Sequence, residues 1–209
     1  MKILIVAATM EEIAPSIPFL SHNDIEYLIT GVGMMATCYR LTKRLQQESV
    51  DLLLHVGIGG ILDASVKLGE VYRISTDEIF ELGADDNGTF VPIEELGFGK
   101  RIYPEKAPAN LLFPAVQTAQ GITVNNVHGG EERISFLHKH YQNPLIESME
   151  GAATFFVAEQ EHVDCLQFRA VSNYIEPRNR DTWEIGLAIQ NLNDFLQRFF
   201  ILNFFSVIR

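Results

Sequence analysis

The sequence predicts a three-layer α/β/α domain built on a central mixed sheet, and three observations carry that expectation. Short continuous runs of β-branched residues and leucine recur along the chain, as strands covered on both faces require. Segments with apolar residues spaced three or four apart alternate with them, which is the period of a helix laid on a sheet. Glycine-rich stretches stand at the switches between the two, where α/β folds turn the chain and collect ligands. No linker, internal repeat or low-complexity segment interrupts the pattern, so residues 1–209 are expected to form one domain.

Element by element, "KILIVAAT" (2–9) opens the chain as a strand. "MEEIAPSIPFL" (10–20) starts with acids suited to a helix N-terminus, and Pro15 and Pro18 make that helix short or irregular. "IEYLIT" (25–30) is a second strand, "GVG" (31–33) a turn and "MMATCYRLTKRLQQ" (34–47) a helix. "DLLLHV" (51–56) is a third strand and "GIGG" (57–60) reads as a turn. "GEVYRIS" (69–75) is a fourth strand reached without a helix, which makes the sheet mixed. Residues 77–114 hold much of the Gly, Pro and Asp with weak periodicity and read as an excursion over the surface. "GITVNNV" (121–127) resumes strand character, and "EERISFLHKHY" (131–141) and "MEGAATFFVAEQEH" (149–162) are helical. "CLQFRAVSN" (165–173) is a strand, and "TWEIGLAIQNLNDFLQRFFILNFF" (182–205) a long closing helix.

Sixteen basic against 27 acidic residues give a formal charge of -11, the wrong sign for attraction to phosphate backbones or anionic lipid. Neither nucleic acid nor a membrane is an expected partner. No apolar run approaches the ~20 residues of a spanning helix, and "MKILIVAATMEE" turns acidic too soon for a signal peptide, so a cytoplasmic location is expected. Cys38 and Cys165 are isolated and read as buried thiols. His138 and His140 point to different faces of their helix, and neither a metal nor another cofactor is expected.

Four strand ends carry the interesting chemistry and are expected to share a cleft: Ala8-Thr9, Gly31 to Gly33, Gly57 to Gly60, and Ser172-Asn173. "TGVGMMA" fits a dinucleotide fingerprint but follows the second strand instead of the first, and the next strand ends without an acid. A tight strand-to-helix turn is the better reading. None of the arginines lies inside a glycine turn, which leaves a phosphate co-substrate without its usual clamp. "ESMEGAATFF" puts Glu147 and Glu150 around the start of an apolar helix. They serve either the helix dipole or a ligand drawn close by the small Gly-Ala-Ala that follows.

With "SMEGAA" and "RAVSN" in view, the chain resembles the nucleoside phosphorylase and nucleosidase superfamily over nearly its full length. "VAATMEEI", "TGVGMMA" and "HVGIGGILDASVKLGEV" resemble the corresponding stretches of its methylthioadenosine/S-adenosylhomocysteine nucleosidase branch. "SMEGAA" resembles the ribose-binding motif, and "RAVSN" stands in the place of an Arg-x-x-Ser-Asp whose catalytic Asp is here Asn173. The extension "SNYIEPRNRDTW" resembles the branch that hydrolyses futalosine in an alternative menaquinone route. The resemblance implies a nucleoside phosphorylase-like fold and hydrolysis of futalosine to hypoxanthine and dehypoxanthinylfutalosine. It also implies a homodimer or higher homo-oligomer, for which "FLQRFFILNFF" (195–205) offers apolar surface, although core packing explains that segment equally well. A purine nucleoside phosphorylase, a methylthioadenosine/S-adenosylhomocysteine-type nucleosidase and a nucleoside-binding protein without turnover are the alternatives.

The roles implied follow the chemistry of the bond. Breaking it builds positive charge on the ribose and negative charge on the departing purine. Glu150 is the candidate for gripping the ribose hydroxyls, with Met149 against the sugar. Glu12 is the candidate base for the attacking water, with Glu11 second. Asn173 offers two N–H donors, matching the N7 and O6 acceptors of hypoxanthine, whereas a protonated acid suits adenine. Gly59 and Ser172 are the other substrate-binding candidates. Arg178 or Arg180 is the candidate partner of the futalosine benzoate, unless both are spent on Glu176 and Asp181.

Overall fold

The computed structural model describes residues 1–142 and 144–205, so the last four positions of the expected domain lie outside the described residues. The chain runs β1 (Ile3–Ala7), α1 (Met10–Ile13), α2 (Ile17–His22), β2 (Glu26–Ile29), α3 (Met34–Leu45), β3 (Leu52–Ile61) and β4 (Val71–Ile79). It continues through β5 (Gly83–Asp86), β6 (Thr89–Pro92), β7 (Ile102–Pro104), β8 (Gln117–Thr123), α4 (Glu131–His140), β9 (Leu145–Ser148), α5 (Gly151–Gln160), β10 (Asp164–Tyr174) and α6 (Ile185–Asn203).

β1 lies between β2 and β3, all parallel, and β10 runs parallel to β3 on its other flank. β4 returns antiparallel to β10, β8 follows parallel to β4, and β9 pairs with β8 and comes back antiparallel onto the end of β3. The mixed sheet therefore closes on itself around the carboxyl end of β3. Alternate strand residues feed two cores, as the two-residue period demands. Leu4, Val6 and Leu53 pack with Leu41 of α3 and Phe155 of α5. Ile5, Leu54 and Phe168 pack with Leu192, Phe195 and Phe199 of α6. Phe195, Leu196, Phe199 and Phe200 are all buried, so most of the apolar "FLQRFFILNFF" segment is core, while Ile201 and Leu202 are exposed. Among the described residues no helix is long and apolar enough to cross a membrane. Cys165 is fully buried and Cys38 half-buried.

The structure corrects the expected elements at four places. "GIGG" is not a turn: Gly57, Gly59 and Gly60 lie inside the continuous strand β3. The supposed excursion 77–114 contains the end of β4, the β5–β6 hairpin and β7. "LIES" forms β9, which no pattern announced, and pushes the start of α5 to Gly151, where Glu150 is the N-cap. The closing helix begins at Ile185, after a 3-10 turn at Arg180–Thr182.

Candidate active site

All four strand ends line one cavity of about 240 Å³: Ala8-Thr9 after β1, Val32 of the GVG turn, Ile58 to Gly60 of β3, and Ser172 to Tyr174 of β10. Of the candidates named from sequence, Glu12, Gly59, Met149, Glu150, Ser172, Asn173 and Arg178 line it. Glu11 is exposed, and neither it nor Arg180 is among the lining residues.

Glu12 sits at the third position of the single turn α1, where an acid can reach back to the cap. Its Oε2 accepts the backbone N–H groups of Ala8 at 3.1 Å and Thr9 at 3.0 Å, and its Oε1 accepts that of Ile58 at 3.1 Å. Asn193 of α6 donates to the Glu12 carbonyl at 2.8 Å and fixes the turn from behind. Burial pushes the Glu12 carboxyl above its ordinary value of 4.5. The Arg169 charge and the Thr9 and Ile58 N–H groups oppose that rise, and the Glu150 charge adds to it.

Beneath Glu12 lies a polar network in the interior. Arg169 is 1% exposed and its Nη2 lies 3.0 Å from His55 Nε2 and 3.2 Å from Gln167 Oε1. Gln167 Nε2 donates to Asp77 Oδ2, and Thr123 Oγ1 donates to Asp77 Oδ1, each at 2.7 Å. Burial pushes the Asp77 carboxyl up to about 6, against the pull of Gln167, Thr123 and Arg169. Burial, then the Arg169 charge, holds His55 well below its usual value and hence neutral. Arg169 Nη1 has no hydrogen-bond partner among the described residues. The glycines make this network possible: a Cβ on Gly57 would lie 2.1 Å from Arg169 Nη1 and 2.7 Å from Glu12 Oε1. A Cβ on Gly151 would lie 1.9 Å from Asp77 Oδ2, so the glycine of "MEGAA" admits Asp77 and not a ligand.

Glu150 is 5% exposed and its Oε1 accepts the Gly33 N–H at 2.8 Å. Gly33 has φ +95°, the left-handed region that glycine enters without cost, so the GVG turn aims a backbone donor at this carboxylate. Asn173 Oδ1 accepts Ser172 Oγ at 2.8 Å, and Nδ2 donates to the Tyr174 carbonyl at 3.0 Å. One N–H of the amide is thus already spent, and one is left for a ligand, fewer than the two counted from sequence.

The loop after β10 differs from the expected ion-pair closure. Among the described residues Arg178 and Arg180 form no salt bridge with Glu176 or Asp181. Their guanidinium groups instead lie 5.5 and 5.6 Å from the Trp183 ring. His128 was not singled out from sequence, and Glu147, expected beside the start of a helix, lies instead in β9, where it accepts the His128 backbone N–H through both oxygens, at 3.0 and 3.3 Å, and pairs with His128 Nδ1.

Comparison with known proteins gives the family. The family model described as the phosphorylase superfamily matches residues 22–206. Futalosine hydrolase of Streptomyces coelicolor is 32% identical over 156 residues, which is 72% of this chain and 65% of that protein. Futalosine hydrolase of Acidothermus cellulolyticus is 28% identical over 176 residues, 80% of this chain and 71% of that one. The chain thus spans just under two thirds of the length of the first relative. Among solved structures, the 5'-methylthioadenosine/S-adenosylhomocysteine nucleosidase of Helicobacter pylori with butyl-thio-DADMe-Immucillin-A aligns with a TM-score of 0.79 at 18% identity, over 95% of this chain and 97% of that one. The native futalosine hydrolase of the same organism aligns with a TM-score of 0.78 at 17% identity, over the same shares. Those alignments share the three-layer α/β architecture, and with the model match over nearly the whole sequence they make this chain a member of the phosphorylase superfamily.

Proposed function

We propose that this protein hydrolyses the N-glycosidic bond of futalosine, releasing hypoxanthine and dehypoxanthinylfutalosine. The observation that carries the reading is an amide, Asn173, lining the same cavity as two buried carboxylates, Glu12 and Glu150. The two curated relatives, both futalosine hydrolases, support the same substrate.

In this reading Glu12 takes a proton from water as the water oxygen bonds to the anomeric carbon, and the electron pair of the broken C–N bond leaves with the purine. Arg169, buried behind Gly57 and outside the cavity lining, acts on that base through its charge, which favours the ionised Glu12 carboxylate. Glu150 holds the ribose hydroxyls and sits beside the developing cation, with Met149 packed on the sugar. Asn173 donates to the departing base and so stabilises its developing negative charge. At about 240 Å³ the cavity is smaller than the roughly 300–1,000 Å³ of sites for drug-sized ligands, so a bulky far-side group extends past the rim, where Arg178 pairs with its carboxylate.

The reading includes action in the cytoplasm on a free nucleoside, without nucleic acid, membrane, metal or other cofactor, and assembly as a homodimer or higher homo-oligomer. For assembly the supporting feature is the apolar edge beside the cavity, where Val32, Met35 and Tyr39 are 57, 87 and 68% exposed. Sedimentation of the protein with and without Met35→Lys tests that part.

The experiment for the reaction is incubation with futalosine, inosine and methylthioadenosine, with and without phosphate, assaying the free base and the sugar product. Hypoxanthine release from futalosine with a free anomeric hydroxyl, even in excess phosphate, is expected. A sugar 1-phosphate would identify a phosphorylase, and base release from methylthioadenosine alone would identify a nucleosidase of the other branch.

A further inference from the structure

Gly60 of β3 is paired with Asn173 of β10 on one side and with Glu147 of β9 on the other. Residues opposite one another in a sheet direct their side chains to the same face, and here the middle member of the row has none. Asn173 leans into the space left, its Nδ2 lying 2.9 Å from where a Gly60 Cβ would stand. Two strand spacings put the outer members about 10 Å apart, a slot wide enough for a flat heterocycle with a hydrogen bond at each edge.

The Glu147 side of the slot ends in His128, which also lines the cavity. The Phe80 and His128 ring centroids are 4.9 Å apart at 88° between planes, an edge-to-face contact, and Glu147 pairs with Nδ1. Beside a carboxylate, Nδ1 is the nitrogen that carries the proton of the neutral ring, which leaves Nε2 an acceptor. Among the described residues nothing else bonds Nε2.

We propose that His128 Nε2 accepts the N1–H of a 6-oxopurine, with Asn173 donating at the opposite edge of the base, and that Glu147 acts through His128 as the positioning residue that fixes its tautomer. This rests on the proposed function and adds a second point of base recognition to it. The point is needed because Asn173 keeps a single free N–H, which can serve N7, an acceptor that hypoxanthine and adenine share. Besides the group at carbon 6, the two bases differ at position 1: hypoxanthine presents N–H, adenine a lone pair. Adenine would set that lone pair against the one on Nε2 and leave both without a donor, a loss of ~1–3 kcal/mol, or roughly tenfold to hundredfold in affinity.

Binding of free bases to the intact protein tests this without requiring turnover. Calorimetry with hypoxanthine, 1-methylhypoxanthine and adenine should show 1-methylhypoxanthine and adenine each bound ~10-fold or more weakly than hypoxanthine. The penalty on the methylated base should largely vanish in His128→Ala, which removes the acceptor and opens space. Glu147→Gln lets an amide N–H donate to Nδ1 and moves the ring proton to Nε2, so the preference for hypoxanthine over adenine should collapse there, a change that mere loss of packing does not produce. Equal affinity of the native protein for hypoxanthine and 1-methylhypoxanthine, or a penalty undiminished in His128→Ala, overturns the proposal. If futalosine is hydrolysed while 1-methylhypoxanthine binds as well as hypoxanthine, the base-reading role falls and the proposed reaction stands. If futalosine releases no base, both fall.

Discussion

Glu12 Oε1 accepts the backbone N–H of Ile58 at 3.1 Å, tying the first helical turn to the middle of a strand 46 positions later. With Ala8 and Thr9 holding the other oxygen, the carboxylate is oriented before substrate arrives, which is the condition for an efficient base. Glu12→Gln keeps the shape and removes the basicity. Turnover of futalosine should fall ~100-fold or more while hypoxanthine still binds. Near-normal turnover in that variant would move the base to another residue.

The acid limb of the rate profile carries a second expectation. A general base works deprotonated, so kcat should rise with pH through the Glu12 carboxyl, whose midpoint burial sets above 4.5. The Glu150 charge contributes to that rise, so Glu150→Gln should shift the midpoint downward even as it weakens ribose binding. Profiles of kcat against pH for the two proteins decide it; an upward shift in the variant, or no shift, contradicts the assignment.

Asn173→Asp exchanges the amide for a carboxyl that can accept from an amino group and, when protonated, donate to N7. Hypoxanthine release should drop, and the ratio of hypoxanthine to adenine released from matched nucleosides should fall by ~10-fold or more. An unchanged ratio would show that residue 173 does not read the base.

The strand glycines should separate into two behaviours. In Gly57→Ala the new methyl meets Arg169 Nη1 at 2.1 Å and Glu12 Oε1 at 2.7 Å, and both side chains are buried and held by the bonds described above. A stability loss of ~1–3 kcal/mol or more and nearly complete inactivation are expected. In Gly60→Ala the nearest atom, at 2.9 Å, is the Asn173 amide, the end of a side chain that can swing aside. Thermal unfolding should change little while base affinity falls. Comparable Tm losses in the two variants would refute this distinction.

Arg178 lines the cavity, whereas Arg180 does not. Arg178→Ala should therefore depress futalosine turnover far more than inosine turnover, because only futalosine offers a carboxylate, and Arg180→Ala should change both slightly. Equal losses on the two substrates in Arg178→Ala would reduce that arginine to a loop support.

The parts legible in the sequence are those whose signal is local. Helical period places α3 and α6, and apolar runs place β1, β3 and β10, because each is long enough for its pattern to repeat. Glu12, Glu150 and Asn173 could be named because each stands in a contiguous motif beside a strand end. What was missed depends on neighbours distant in sequence. Gly57 looks like a turn residue until Arg169 is brought against it from β10, and only then does its missing side chain have a purpose. β9 is four residues with an acid in the middle, too short to show a period. His128 and Glu147, 19 positions apart, face each other because β9 returns onto β3 and closes the sheet, which neither "NVHGG" nor "LIES" foretells.

The bond from Asn193 to the Glu12 carbonyl joins residues 181 positions apart. During synthesis the N-terminal third of the chain leaves the ribosome long before α6 exists, at ~5–20 residues per second. β1, β2 and β3 can pair early, but the turn that carries Glu12 has no backing until the closing helix docks, and β3 has no partner on its other flank until β10 emerges. Hydrolytic competence should therefore arise late and in one step during translation, and a nascent chain stalled before residue 185 should hold part of a sheet but no working carboxylate.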